Sequence, residues 1–241
     1  MGGYGIMISA GLVMFPTFND EELREKVRQM LHPEEIKTAG AFGSDIRRRS
    51  FFHGRIAGKM AIEKVFPDIP SAEIHITTGS LGEPHISNLQ QPYGVSIAHG
   101  NFLNAGLCFP LTFMMGVDVE SITEKNRTII PIVLSDWEKE MCRKEKDELE
   151  LFHVLWTAKE AAGKAIRLGF RVPHEWYETD HIETVSEEPR LIRRCRFKHL
   201  RMFTALSVAI PGGVLSVAFP SEKDLDELMS RLLIAPMSCL T

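Results

Sequence analysis

Along the chain the apolar positions change period several times, and each change predicts an element. The opening run from Gly5 to Pro16 is nearly continuous in apolar residues and reads as a first strand. Next, Asn19 to Leu31 begins with a residue suited to capping a helix and sets Leu23, Val27 and Met30 at helical spacing, with His32 and Pro33 ending it. A second helix is predicted from about Asp45 to Phe66, stopping before Pro67. Alternation from Ala72 to Thr78 predicts a strand, Gly79 to Pro84 a turn, and Tyr93–Ala98 and Ala105–Phe113 two further strands. The order then repeats: one helix from about Leu134 to Leu168, ended by Gly169, and strands at Val185–Phe197, Phe203–Ile210 and Val214–Phe219. Pro211, Gly212 and Gly213 make the last two a hairpin.

Two runs of the same order predict an α+β fold of two similar α/β halves. Laying Phe51–Lys59 (FFHGRIAGK) over Trp156–Lys164 (WTAKEAAGK) matches an aromatic, an Ala, a Gly and a Lys. The expected division is residues 1–113 and 114–241, with a cleft between the halves. The chain has 241 residues, 44% of them hydrophobic and 25% charged, which excludes disordered and fibrous classes. A net charge of −4 supplies no field that draws the whole molecule to nucleic acid or to an acidic membrane. The opening apolar run is too short to cross a bilayer, for which about 20 residues are needed. Cys108, Cys142, Cys195 and Cys239 form no C-x-x-C pair, so they read as reduced, packed thiols of a cytoplasmic protein.

The candidate chemistry lies in two segments. In Gly116-Val117-Asp118-Val119-Glu120, residues two apart in a strand share a face, so Asp118 and Glu120 point together. Paired carboxylates raise each other's pKa unless a cation sits between them, and hard oxygen ligands suit Mg²⁺; a solvated strand end is the alternative. In Trp156-Thr157-Ala158-Lys159-Glu160-Ala161-Ala162-Gly163-Lys164, Glu160 and Lys164 are one helical turn apart, either as a salt bridge or as two sides of a phosphate site. Upstream, Arg48, Arg55 and Lys59 fall on one helix face, which is then cationic. Arg194, Arg196 and Lys198 alternate onto one strand face, either solvated or a patch for an acidic partner.

The pair G-V-D-V-E and W-T-A-K-E-A-A-G-K, about forty residues apart, resembles the two signature motifs of the 4′-phosphopantetheinyl transferase superfamily. The extra N-terminal half resembles its surfactin-type (Sfp-like) branch. Arg47, Arg48 and the F-x-x-G-R run ending at Arg55 resemble that family's coenzyme A-contacting helix. Gly82-Glu83-Pro84 resembles its G-x-P turn, and Ser96-Ile97-Ala98-His99-Gly100 its S-x-S-H-S strand. Two departures stand out: Glu83 occupies a position where many members carry Lys, and Ala98 and Gly100 replace the serines flanking the histidine.

The resemblance implies transfer of the 4′-phosphopantetheine arm of coenzyme A to a serine of an apo acyl or peptidyl carrier protein, releasing 3′,5′-adenosine bisphosphate with Mg²⁺. Carried over by motif, Asp118, Glu120 and Glu160 hold the metal, and Glu160 or a metal-bound water takes the serine proton. Lys164 neutralises charge on the bridging oxygen. Arg47, Arg55, Gly82, Pro84, His99, Lys159 and Lys164 contact coenzyme A, with Arg55 and Lys59 supplying the cationic helix face. Asp136 or Glu138 lies at the spacing of a further acid near the metal. The N-terminal half is then the coenzyme A-binding half and the C-terminal half the metal-binding half of a cytoplasmic monomer. The alternatives are a noncatalytic relative that binds carrier protein or coenzyme A, and a Mg²⁺-dependent phosphodiesterase using the same carboxylates.

Overall fold

A computed structural model describes residues 9–100 and 102–234. Cys239 and the first part of the Gly5–Pro16 strand lie outside them. The chain opens with β1 (Gly11–Pro16) and α1 (Asp20–Met30), whose capping box is built by Asn19 and Glu22. A helix absent from the pattern follows: α2 (Pro33–Gly40) places Pro33 in its first turn, where the missing N–H costs nothing. Thus Pro33 starts a helix as well as ending one. The second predicted helix is α3 (Asp45–Glu63), followed by short β2 (Ile76–Thr78) and β3 (Pro84–Ile86), then β4 (Tyr93–His99) and β5 (Leu103–Pro110).

After β6 (Gly116–Ser121) comes a short helix the pattern did not predict, α4 (Ile130–Val133), and the single long helix predicted over 134–168 is two, α5 (Asp136–Lys144) and α6 (Glu148–Ala165). Ser135 and Asp147 each cap the helix that follows, so a chain with unbroken helical composition is divided by two side-chain caps. The strand expected at Val185–Phe197 is also two, β7 (Thr179–Ser186) and β8 (Ile192–Phe197), separated by a turn holding the cis Glu188–Pro189 bond. β9 (Phe203–Ile210), β10 (Gly213–Pro220) and α7 (Lys223–Ile234) complete the fold. Among the described residues no helix is long and apolar enough to cross a membrane.

The strands form a three-stranded sheet ordered β1-β5-β4, a five-stranded sheet ordered β6-β10-β9-β8-β7 and the β2-β3 ribbon, all antiparallel. In each larger sheet the first strand of the run pairs with its last, which pairs with the strand before it. Helix α3 covers one face of the first sheet, where Val13, Ile62 and Val95 meet. Helix α6 covers one face of the second, where Leu155, Ala158, Ala205 and Val214 meet. The opposite faces of both sheets contribute Met14, Leu107, Val117, Val119, Leu206 and Leu215 to one apolar core with α7.

Matching contacts recur on the two long helices. Each sheet's first strand begins with a glycine, and a Cβ at Gly11 would collide with the Ala61 carbonyl as one at Gly116 would with the Ala161 carbonyl. His53 and His153 are both buried, and each aims Nδ1 at the carbonyl four residues earlier, Arg49 at 2.8 Å and Leu149 at 2.7 Å. These contacts equate Ala61 with Ala161, His53 with His153 and Lys59 with Lys159. The register of the long helices is therefore offset by five residues from the one that laid Lys59 over Lys164. Identical Ala, Gly and Lys letters one turn apart produced the false match.

Candidate active site

The site begins with Gly116. Because it has no side chain, β6 runs against α6 at backbone contact, and Asp118, two residues on, reaches Lys164. Lys164 Nζ donates to Asp118 Oδ1 at 2.7 Å. Alternation in β6 sends Val117 and Val119 into the shared core and leaves Asp118 and Glu120 on the face turned to α6. From the other sheet, Ser96 Oγ of β4 accepts the Val117 N–H at 3.1 Å, which ties the two sheets together one residue before Asp118. Ser96 is buried, so this serine of the S-I-A-H-G segment is a tie between the sheets.

The three carboxyls act on one another's ionisation. Burial raises the Glu120 carboxyl to about 8, with further upward pushes from Asp118 and Glu160. Glu160 is raised to about 7, again chiefly by burial and then by Asp118, while Lys164 and the Trp156 hydrogen bond pull it down. Asp118 Oδ2 is buried without a hydrogen-bond partner. Among the described residues no three His, Cys, Asp or Glu side chains converge on one metal position. The donor chemistry nonetheless fits a hard divalent cation: the oxygen of Asp118 turned from Lys164 is unpartnered, and burial and the charge of Asp118 make the two carboxyls beside it resist ionisation, an effect a bound cation would oppose.

His99, at the end of β4, belongs to the same centre. Crowding around its ring and the positive charge of Lys164 hold its pKa below the usual imidazole value, against an upward pull from Asp118. Ser50 of α3 lies 3.2 Å from its Nδ1. Beyond Lys164 opens a cleft of about 330 Å³, lined by Gly82, Pro84, Tyr93, Lys164, Arg167 and Arg171 among others. It runs between the 79–83 loop and the C-terminal end of α6. The Glu83 carboxylate accepts the Leu81 N–H at 2.9 Å, so this residue shapes its own turn.

Several expected residues lie elsewhere. Lys159 is 1% exposed, bonded to Glu138 Oε2 at 2.6 Å and to the Val133 carbonyl at 2.8 Å, so it does not reach a cofactor in the cleft. Glu138 is spent on that pair and on capping α5, and Asp136 is fully exposed on a surface pair with Lys139, so neither supplies a further acid near a metal. The cationic face of α3 is not open to a ligand either: Lys59 is 0% exposed and paired with Glu35. Arg55 is 9% exposed, stacked on Phe51 and donating to Thr78 Oγ1 at 3.1 Å. Arg47 is exposed and lies 4.8 Å over the Phe42 ring. The presumed docking cations are paired as well, Arg194 with Glu183 and Asp226, Arg196 with Glu183 and Lys198 with Glu178.

Sequence reasoning missed Arg167, Arg171 and Ser50. Arg167 has a φ of 59° and follows α6 by two residues, a conformation uncommon outside glycine. Arg171 donates to the Leu81 carbonyl at 2.8 Å and so bridges the two walls of the cleft. A basic residue one turn beyond Lys164 was a usable signal for the first.

Comparison with known proteins bears on this constellation. No curated protein matches the chain. Holo-(acyl-carrier-protein) synthase from Bacillus anthracis str. Ames in complex with CoA (3′,5′-ADP) is 19% identical over 42% of this chain and 94% of that one, with a TM-score of 0.38. Holo-ACP-synthase from Plasmodium yoelii is 17% identical over 42% of this chain and 91% of that one, with a TM-score of 0.35. Holo-[acyl-carrier-protein] synthase from Thermotoga maritima is 18% identical over 46% of this chain and 69% of that one, with a TM-score of 0.33. Residues 114–212, which hold Asp118, Glu120, Glu160 and Lys164, match the family model of the 4′-phosphopantetheinyl transferase superfamily.

Proposed function

We propose that this protein is a transferase that moves 4′-phosphopantetheine from coenzyme A to a serine of an apo acyl or peptidyl carrier protein. The observation that carries the reading is the cluster of Asp118, Glu120, Glu160 and Lys164, whose lysine also lines the cleft, inside the segment that matches the family model. The serine oxygen forms a bond to the phosphorus that bears the pantetheine arm. The bond from that phosphorus to the bridging pyrophosphate oxygen breaks, and 3′,5′-adenosine bisphosphate leaves. Glu160, one helical turn from Lys164, or a water held at the carboxylates accepts the serine proton. Lys164 stabilises negative charge developing on the bridging oxygen, exchanging its contact with Asp118 for the phosphate. Bound Mg²⁺, held by Asp118, Glu120 and Glu160, would neutralise pyrophosphate charge. The backbone of the Gly82–Pro84 turn meets coenzyme A from the other wall of the cleft, and His99, beside Lys164, meets its phosphates.

We read the chain as the two-half, surfactin-type branch, divided at 113/114 into a coenzyme A-binding and a metal-binding subdomain related by a pseudo-two-fold axis. The repeated contacts of α3 and α6, and the closure of the three-stranded sheet before residue 114, support this division. A panel of apo carrier domains incubated with the protein, coenzyme A and Mg²⁺ tests the reading. Intact mass is expected to rise by one phosphopantetheine on at least one carrier, with equimolar 3′,5′-adenosine bisphosphate. Coenzyme A binding without any mass gain would make the protein a noncatalytic relative, and nucleotide release without a carrier would make it a phosphodiesterase.

A further inference from the structure

Two buried carboxylates outside the site are wired alike. Glu35, 1% exposed, accepts the His32 N–H at 2.9 Å and the Ile76 N–H at 2.9 Å and pairs with Lys59 at 3.0 Å. Glu138, 0% exposed, accepts the Ser135 N–H at 2.8 Å and the Thr179 N–H at 2.9 Å and pairs with Lys159 at 2.6 Å. In both halves the glutamate closes a capping box, holds a lysine of the long helix and takes the N–H of the first residue of the next strand. A buried ion pair of this kind is weak evidence for stability, because desolvation offsets most of the attraction. Its geometric consequence is definite.

In the N-terminal half the network reaches further. Lys59 Nζ also donates to the Ser71 carbonyl at 2.8 Å and to the Ile74 carbonyl. Arg55 lies 3.9 Å from Glu35 and donates to Thr78 Oγ1. One carboxylate and two cations thereby pin residues 71–78 to α3 at both ends of β2. β2 pairs with β3 in the register Thr78 to Pro84, and the loop between them, 79–83, forms one wall of the cleft. In the C-terminal half the equivalent pair pins α6 itself, one residue before Glu160 and five before Lys164.

We infer that the Glu35–Lys59–Arg55 network is a positioning device for the coenzyme A wall of the cleft, as Glu138–Lys159 is for the reacting side. This rests on the reading of the cleft as the coenzyme A site. Neither pair touches substrate; each sets the place of groups that do. Loss of the first therefore weakens coenzyme A binding and loss of the second slows the chemical step.

The experiment compares two double variants in which each pair is replaced by apolar groups of similar size, Glu35→Leu with Lys59→Met and Glu138→Leu with Lys159→Met. Each replacement removes both charges of its pair; in the first variant Arg55 loses its carboxylate neighbour and keeps its donation to Thr78 Oγ1, so the fold of both variants is checked by circular dichroism first. Coenzyme A binding by calorimetry is expected to weaken about tenfold in the first variant, with kcat held within about twofold; the second is expected to show the reverse split. Hydrogen exchange supplies a readout independent of substrate: the Gly79 and Leu81 amides should exchange faster in the first variant, and those of 163–171 should not. Equal changes in Kd and kcat in both variants, or no change in 79–83 exchange, would overturn the inference. Failure of the parent protein to bind coenzyme A would sink the functional reading alone, since the exchange result still decides whether the network positions the loop. Should either double variant not fold, Thr78→Val, which removes only the Arg55 acceptor, must raise 79–83 exchange or the inference fails.

Discussion

The long helices α3 and α6 are held to their sheets by equivalent glycines, histidines and lysines, yet only α6 faces a charged site. Counting from Gly11 and Gly116, the positions of Asp118 and Glu120 in the second half are Val13 and Phe15 in the first, both buried under α3. On the helices, Glu160 corresponds to Met60, and Lys164 to an exposed Lys64. One half has filled the interface with hydrocarbon. The other has left three carboxyls and an ammonium there, a cluster that opposes ionisation and gives up apolar burial. Similar long helices thus support an apolar interface in one half and a charged one in the other, and the difference at these positions lies in three side chains, Asp118, Glu120 and Glu160 for Val13, Phe15 and Met60, since a lysine stands at the fourth in both.

The sharpest way to break that comparison is to remove the charges. Asp118→Ala or Glu160→Ala is expected to lower transfer at least about 100-fold while the protein stays folded, because each removes an acidic ligand without opening the apolar core. Near-parental turnover at limiting Mg²⁺ in a carrier-modification assay would contradict the three-carboxylate site.

Next in size is a test of what the halves share. Gly11→Ala and Gly116→Ala each drive a methyl group into helix backbone and should each cost about 2–3 kcal/mol in denaturant unfolding. Only Gly116→Ala should also depress kcat, since it alone separates Asp118 from Lys164. Equal kinetic effects would erase the functional asymmetry.

A pH titration of stability sharpens the contrast further. The folded-state pKa values of Glu120 and Glu160 are raised from 4.5 to about 8 and about 7, so folding holds protons that the unfolded chain releases. That contribution is fully present below about 4.5 and is lost as pH rises through the folded values. Between pH 5 and 8 without divalent cations, the parent is expected to lose several kcal/mol more than Glu120→Gln/Glu160→Gln. Added Mg²⁺ should narrow the gap, and an identical pH profile for both proteins would refute the coupling.

The smallest effect is expected at Arg196, exposed and already paired with Glu183. Arg196→Ala should change stability by less than about 0.5 kcal/mol and leave kcat/KM for the carrier unchanged at low salt. A marked loss would return this strand to the role of a docking surface.

How much of this was legible from the residues differs by kind. Helix α1 could be read because Asn19, Glu22 and the spaced apolar residues agree locally, and β9 matches its predicted bounds because its run is apolar and turn-bounded. The G-V-D-V-E and W-T-A-K-E-A-A-G-K segments carried the candidate site by residue type. The break within the helix predicted over 134–168 was hidden, because it depends on Asp147 turning back on the backbone in a region whose composition is helical throughout, as the start of α5 depends on Ser135. Lys59 and Lys159 misled for a related reason: a lysine in an amphipathic pattern reads as exposed, and only its carboxylate partner across the fold reveals that it is buried.

By itself the sequence determined the alternation in β6 that keeps Asp118 and Glu120 on one face, the helical turn that joins Glu160 to Lys164, and the position of the long helix before the paired strands in each half. These depend on backbone periodicity, which acts over a few residues. Only the tertiary structure decided the register of the two long helices, the burial of Arg55, Lys59 and Lys159, and the meeting of His99 with Lys164. Those depend on where a glycine lets a helix approach a strand and on which carboxylate reaches which cation, contacts between residues tens of positions apart that no local pattern encodes.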